Sequence, residues 1–124
     1  MICLVLSTLP HYLSILLLYK YYNINKINIY IKIIFASSSL SVLYHVYEEN
    51  NIIITYFDYT MAFIWFLYDL KILYNYLNKI ICINAFIFII NISIPYNDYY
   101  YINHSIWHLL SAYKCYYTTC LIEI

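Results

Sequence analysis

Five stretches of the chain are apolar for the length of a helix, and short polar breaks separate them. They run over about residues 2–19, 27–47, 52–70, 77–94 and 101–122, and the breaks hold most of the Lys, Glu, Asn and Pro. A helix that crosses a bilayer needs about 20 mostly apolar residues, within a range near 17–25. Each stretch meets or nearly meets that length, so the pattern predicts five spans. β-Branched runs such as Ile52–Thr55 lack the regular polar alternation that strands of a membrane barrel require. The predicted fold is all-α: a multi-pass transmembrane helical bundle, forming one domain over residues 1–124.

Composition strengthens that reading. The chain is 65% hydrophobic and 10% charged, whereas a soluble domain runs near 45–50% apolar and about 25% charged. Six basic residues, all of them Lys, balance six acids. With no Arg and no basic patch, nothing points to nucleic acid. Tyr occurs 19 times and Gly not at all; heavy use of Ile, Asn, Tyr, Lys and Phe follows AT-rich codons and accounts for most of the tyrosines. Even so, Tyr19, Tyr21, Tyr22 and Tyr99 to Tyr101 fall where an interfacial aromatic belt belongs. Cys3, Cys82, Cys115 and Cys120 show no paired spacing and read as small apolar residues, not a disulfide framework. Met1–Tyr19 lacks a basic leader and an A-x-A-like cleavage site, so it is expected to be a retained first span.

The charges also orient the predicted bundle. Lys20 and Lys26 flank the first break, and Lys71 and Lys79 flank the third. Glu48 and Glu49 lie in the second break and Asp98 in the fourth. Because every span reverses the chain, the lysine breaks share one side and the acidic breaks the other. The lysine side is predicted to be cytoplasmic. The N-terminus is then outside or lumenal, and the C-terminus, with Lys114 nearby, is inside.

That orientation gathers the ionisable residues of the spans. His45 lies near the outer end of the second span, Asp58 near the outer end of the third, and His104 and His108 in the first turns of the fifth. Residues four apart share a helix face, so His104 and His108 can pinch one metal ion while His45 supplies a third nitrogen. Three protein ligands with a fourth position left to water is the pattern of a catalytic zinc site. Neutral imidazoles also cost less to bury than thiolates or several carboxylates. Asp58 is placed to engage the attacking water, and Ser41, one turn before His45, to orient a ligand or steady a developing oxyanion. Ionisable groups inside a membrane are costly and mark function by default.

Ser41-x3-His45, a downstream Asp58, then His104-x3-His108 on the last helix resembles the signature of a known superfamily. It contains alkaline ceramidases, adiponectin and progestin receptors, haemolysin III and myomaker-like proteins. The flanking words match as well: SVLYH at 41–45, FDYTMAFIW at 57–65 and HSIWHLL at 104–110. The resemblance implies a zinc ion held by His45, His104 and His108, with Asp58 and Ser41 completing the signature. It further implies hydrolysis of a lipid amide such as ceramide, or, in the myomaker-like branch, a non-catalytic membrane protein with a structural zinc site. Family members have seven helices, and this chain has room for five. The difference falls between Asp58 and His104, where one span stands for three, so parity keeps the histidine pair on the same side. The acidic calcium cluster of alkaline ceramidases has no counterpart, because no Asp or Glu precedes Glu48.

Weaker features get plainer readings. His11, after Pro10, is expected to be a polar residue satisfied within the bundle. Asp69, near Lys71, reads as a solvated span end. The glycan-acceptor patterns at Asn91 and Asn103 lie in or against the membrane and are discounted. Ser37 to Ser39 suit close helix packing.

Overall fold

A computed structural model describes residues 2–21, 24–47, 50–72, 79–93 and 98–122. All five predicted helices are there, and no strand occurs among the described residues. They are α1 (Ile2–Tyr21), α2 (Ile24–Val46), α3 (Ile52–Ile72), α4 (Lys79–Ser93) and α5 (Asp98–Ile122). Tyr22, Glu48, Glu49 and positions 77, 78 and 94 of the fourth predicted span lie outside the described residues. Two of the helices, over Ile2–Lys20 and Ile27–Val46, are long and apolar enough to cross a membrane.

Local chemistry sets several features of these helices. Asn51 caps α3: its Oδ1 accepts the backbone N–H groups of Ile53 and Ile54 at 3.0 and 3.2 Å, satisfying donors that have no partner within the helix. Pro10 sits inside α1, where it removes one helical hydrogen bond. The Ser14 hydroxyl, one turn on, is shared between the carbonyls of Pro10 and Ala112 at 3.0 and 3.2 Å, tying that point of α1 to α5.

Cross-helix contacts fix direction and register. Tyr12 meets Ser39 and Phe35, which fits an α1–α2 hairpin. Ser41 bonds Asp58 and, eleven residues earlier, Tyr30 bonds Asp69, eleven residues later. The α2–α3 pair is therefore antiparallel in one unbroken register. Asn84 meets Ser111 and Asn91 meets Asn103, so α4 and α5 are antiparallel too. His11 lies by His108 and Ser14 by Ala112, so α1 and α5 run parallel. The end of the bundle that holds His45 is thus the end that holds Asp58, His104 and His108.

The distribution of polarity is inverted relative to a soluble bundle. Leu6, Leu13, Phe35, Phe63, Phe86 and Leu109 lie exposed on the outside, while Thr8, Ser38, Asp69, Asn84 and Lys114 are buried. A compact apolar cluster closes the other end of the bundle, built from Ile15, Leu18, Ile27, Tyr30, Ile34, Trp65 and Cys115. The serine run is in close helix packing as expected: Ser37 and Ser38 are buried, and Ser39 bonds the Tyr12 hydroxyl at 3.0 Å. The four cysteines are free.

Candidate metal centre

Three imidazoles meet inside the bundle. His45 comes from the last turn of α2, and His104 and His108 from successive turns of α5. All three are buried, and one nitrogen from each falls within 4.8 Å of the other two. The closest approach is 3.0 Å, between Nε2 of His45 and Nε2 of His108. Two nitrogens on one tetrahedral zinc would stand about 3.3–3.4 Å apart, given Zn–N bonds of about 2.0–2.1 Å. The cluster brackets that spacing, so small rotations of the rings would bring three nitrogens onto one ion. A buried group of neutral nitrogen donors suits a divalent metal and gives the imidazoles a reason to crowd together.

Aromatic rings wall the cluster in. Tyr44 lies against His45 with centroids 5.2 Å apart, and Tyr100 against His104 at 5.1 Å. Trp107 touches both His104 and His108, at 5.5 and 5.0 Å. Such a wall limits water and strengthens electrostatic interactions inside it.

Ser41 and Asp58 are brought together one turn from His45. The Ser41 hydroxyl donates to Asp58 Oδ1 at 2.7 Å, and both residues are buried. The serine proton is therefore directed at the carboxylate, a contact the linear order of the residues does not announce. No family model matches the chain, and no curated protein or solved structure matches it. The chemistry of the site has to be read from its own side chains.

Three further placements sharpen or correct the expectations from sequence. His11 is satisfied within the bundle, its Nδ1–H donating to the Thr8 carbonyl at 3.0 Å. It also lies edge-on to His108 and to Trp65, at 6.0 and 5.7 Å, which puts a fourth imidazole beside the cluster. The Asn of each glycan-acceptor pattern faces the other, Asn103 donating to Asn91 Oδ1, with Asn91 buried.

Asp69 is the correction. It is not a solvated helix end: it is fully buried and bridged to Lys114 of α5 at 2.6 Å. Tyr30 donates to its Oδ1 at 3.0 Å. The Lys114 ammonium lies 4.3 Å from the centre of the Trp65 ring, a favourable place for a desolvated cation. Lys71, the neighbour in sequence, is exposed. Positions two apart on a helix do not face each other, and that spacing was the available signal that the partner of Asp69 had to come from elsewhere.

Proposed function

We propose that this chain is an integral membrane protein that binds zinc and hydrolyses a lipid amide, as a shortened relative of the ceramidase and adiponectin-receptor superfamily. The observation that carries the reading is the convergence of His45, His104 and His108 in a buried cluster, with Asp58 fixed by Ser41 one turn away. Support for the membrane comes from the exposed Leu, Ile and Phe on all five helices. In a bilayer those faces meet lipid, and the polar groups satisfy one another inside.

In this mechanism His45, His104 and His108 hold the metal. Zinc held there would supply Lewis acidity, lowering the pKa of water toward about 7 and polarising a carbonyl oxygen. Asp58 receives the proton of the attacking water and returns it to the amide nitrogen as the C–N bond breaks and the amine leaves, and Ser41 is a positioning residue that holds the carboxylate in place. The aromatic wall of Tyr44, Tyr100 and Trp107 keeps bulk water away. The cytoplasmic side of the bundle is the end that carries Lys71 and Lys79, which puts the metal centre near the outer face.

The test joins metal content to turnover. Purified protein is expected to carry about one zinc per chain by elemental analysis and to release fatty acid from a panel of ceramides and simpler N-acyl amides. Asp58→Asn should keep the metal and abolish release. Protein without stoichiometric metal would overturn the zinc site. Turnover that survives Asp58→Asn would overturn the assigned role of Asp58, and metal without turnover on any amide would assign the site a structural task.

A further inference from the structure

The chain has four histidines, and the metal centre uses three of them. The fourth, His11 of α1, is buried and lies against His108, with ring centroids 6.0 Å apart and ring planes at 90°. It falls outside the group whose nitrogens come within 4.8 Å of one another, so it is a neighbour of the cluster and not a member. Its own helix sets its state. The Nδ1–H donates to the Thr8 carbonyl at 3.0 Å, a bond within one turn of α1 that forms with or without a metal. A neutral imidazole with its proton on Nδ1 has a lone pair on Nε2. That lone pair accepts no hydrogen bond among the described residues.

His108 has the complementary need. Its Nε2 is the nitrogen that stands 3.0 Å from Nε2 of His45, so Nε2 faces the cluster. An imidazole that gives Nε2 to a metal keeps its proton on Nδ1, and a ligating histidine almost always donates that second N–H to an outer partner. A buried N–H without an acceptor is costly. Four rings lie against His108: His11, His45, His104 and Trp107. His45 and His104, holding the same ion, carry protons on their second nitrogens and have no lone pair left to offer. The indole of Trp107 is a donor only. Among these rings, Nε2 of His11 is the one acceptor.

We propose that His11 is the outer partner of His108: with the metal in place, the Nδ1–H of His108 donates to Nε2 of His11, whose own Nδ1–H is anchored on the Thr8 carbonyl. The inference rests on the zinc reading of the cluster and gives α1 a part in it. The relay from His108 through His11 to Thr8 keeps His108 in the tautomer that presents Nε2 to the ion, and it fixes the ring from a second helix. His11 is a positioning residue, not a ligand. A neutral imidazole suits the place because it accepts the bond without adding a charge to a buried site.

The experiment measures the zinc affinity of the full-length chain in nanodiscs, by competition with a chromogenic chelator, for the natural chain, His11→Phe and His11→Gln. Phe keeps a ring against Trp65 and removes the acceptor, whereas Gln restores an acceptor at the position of Nε2. His11→Phe is expected to bind zinc about 10–100-fold more weakly, the usual loss for an outer partner, and His11→Gln to recover most of that loss. X-ray absorption should count three imidazoles on the ion in all three chains. In the natural chain, the nitrogen NMR resonance of His11 Nε2 should shift on zinc loading as it accepts the new bond. A natural chain that takes up no zinc overturns the zinc reading, and this inference with it. Zinc uptake by the natural chain with no loss in His11→Phe, or with equal losses in the Phe and Gln variants, overturns the role of His11 alone. Four imidazoles on the ion would do the same. If His11→Phe does not fold, the natural chain decides: an unmoved His11 Nε2 resonance overturns the inference.

Discussion

Removing one member of the Asp69–Lys114 pair should cost far more than removing both. Lys114→Met leaves the carboxylate of Asp69 fully buried, with the Tyr30 hydroxyl as an inadequate substitute for the ammonium. Breaking a buried pair in this way costs about 3–5 kcal/mol, whereas an apolar pair of similar volume is often neutral or stabilising. At about 1.4 kcal/mol per factor of ten, that is roughly a 140- to 3,700-fold fall in the folded-to-unfolded ratio. Asp69→Leu should cost a similar amount, because the ammonium then keeps only the Trp65 ring. The double variant should return to within about 1 kcal/mol of the natural chain. The assay is reversible unfolding in mixed micelles with rising SDS, followed by far-ultraviolet circular dichroism and tryptophan fluorescence. Trp65 touches Lys114, so fluorescence reads the site itself. A double variant whose loss equals the sum of the single losses would refute the coupling. Single losses below about 1 kcal/mol would show that the pair is wetter than its burial indicates.

Other expectations follow from the same geometry. His104→Ala and His108→Ala should each reduce bound zinc from about one per chain to near zero, because two nitrogens hold a metal poorly; full retention by elemental analysis would count against the site. Ser41→Ala should leave zinc bound but lower turnover about 10–100-fold, the usual loss for a residue that orients a neighbour of a metal site; unchanged turnover would remove Ser41 from the mechanism. Chelation should lower the SDS midpoint, since zinc at about 100 times its dissociation constant contributes about 2.7 kcal/mol, and an unmoved midpoint would mean the metal does not stabilise the fold. On a cysteine-free background, Asn50→Cys should react with an impermeant maleimide from outside the membrane and Lys71→Cys only from the cytoplasmic side. Labelling of both from one side would break the proposed topology.

Much of the site was legible because each helix is a rod with a fixed rise per residue. The apolar runs set their number, and their alternation put His45, Asp58, His104 and His108 at one end without any knowledge of packing. What rods do not reveal is rotation about their own axes, and the surprises lie there. Ser41 and Asp58 were legible as neighbours in depth, but only the facing of α2 and α3 turns the serine hydroxyl onto the carboxylate. A cavity of about 260 Å³ between α3, α4 and α5 was invisible for the same reason: it exists because α3 and α4 sit on different partners, and no periodicity within either helix records that.

The Asp69–Lys114 pair could have been found by carrying the depth argument further along the same helices. Asp69 lies eleven residues past Asp58 on α3, and Lys114 lies ten past His104 on α5, which runs in the same direction. Both descend about 15–17 Å at 1.5 Å per residue and arrive at one level, where Tyr30 meets them from eleven residues before Ser41. Lys114 also fits the charge balance of the helix ends, and that fit masks its pairing with Asp69. The bundle therefore has two polar levels, one of imidazoles and one of an ion pair. Trp107 and Lys114 line the cavity between them, with Trp107 against the histidines and Lys114 in the ion pair. The lower level compensates its buried polarity by charge pairing, and the upper gathers three nitrogens that could hold one metal ion. Asp69 and Lys114 form an ion pair buried in the bundle, and that pair and the imidazole cluster are the two places worth perturbing.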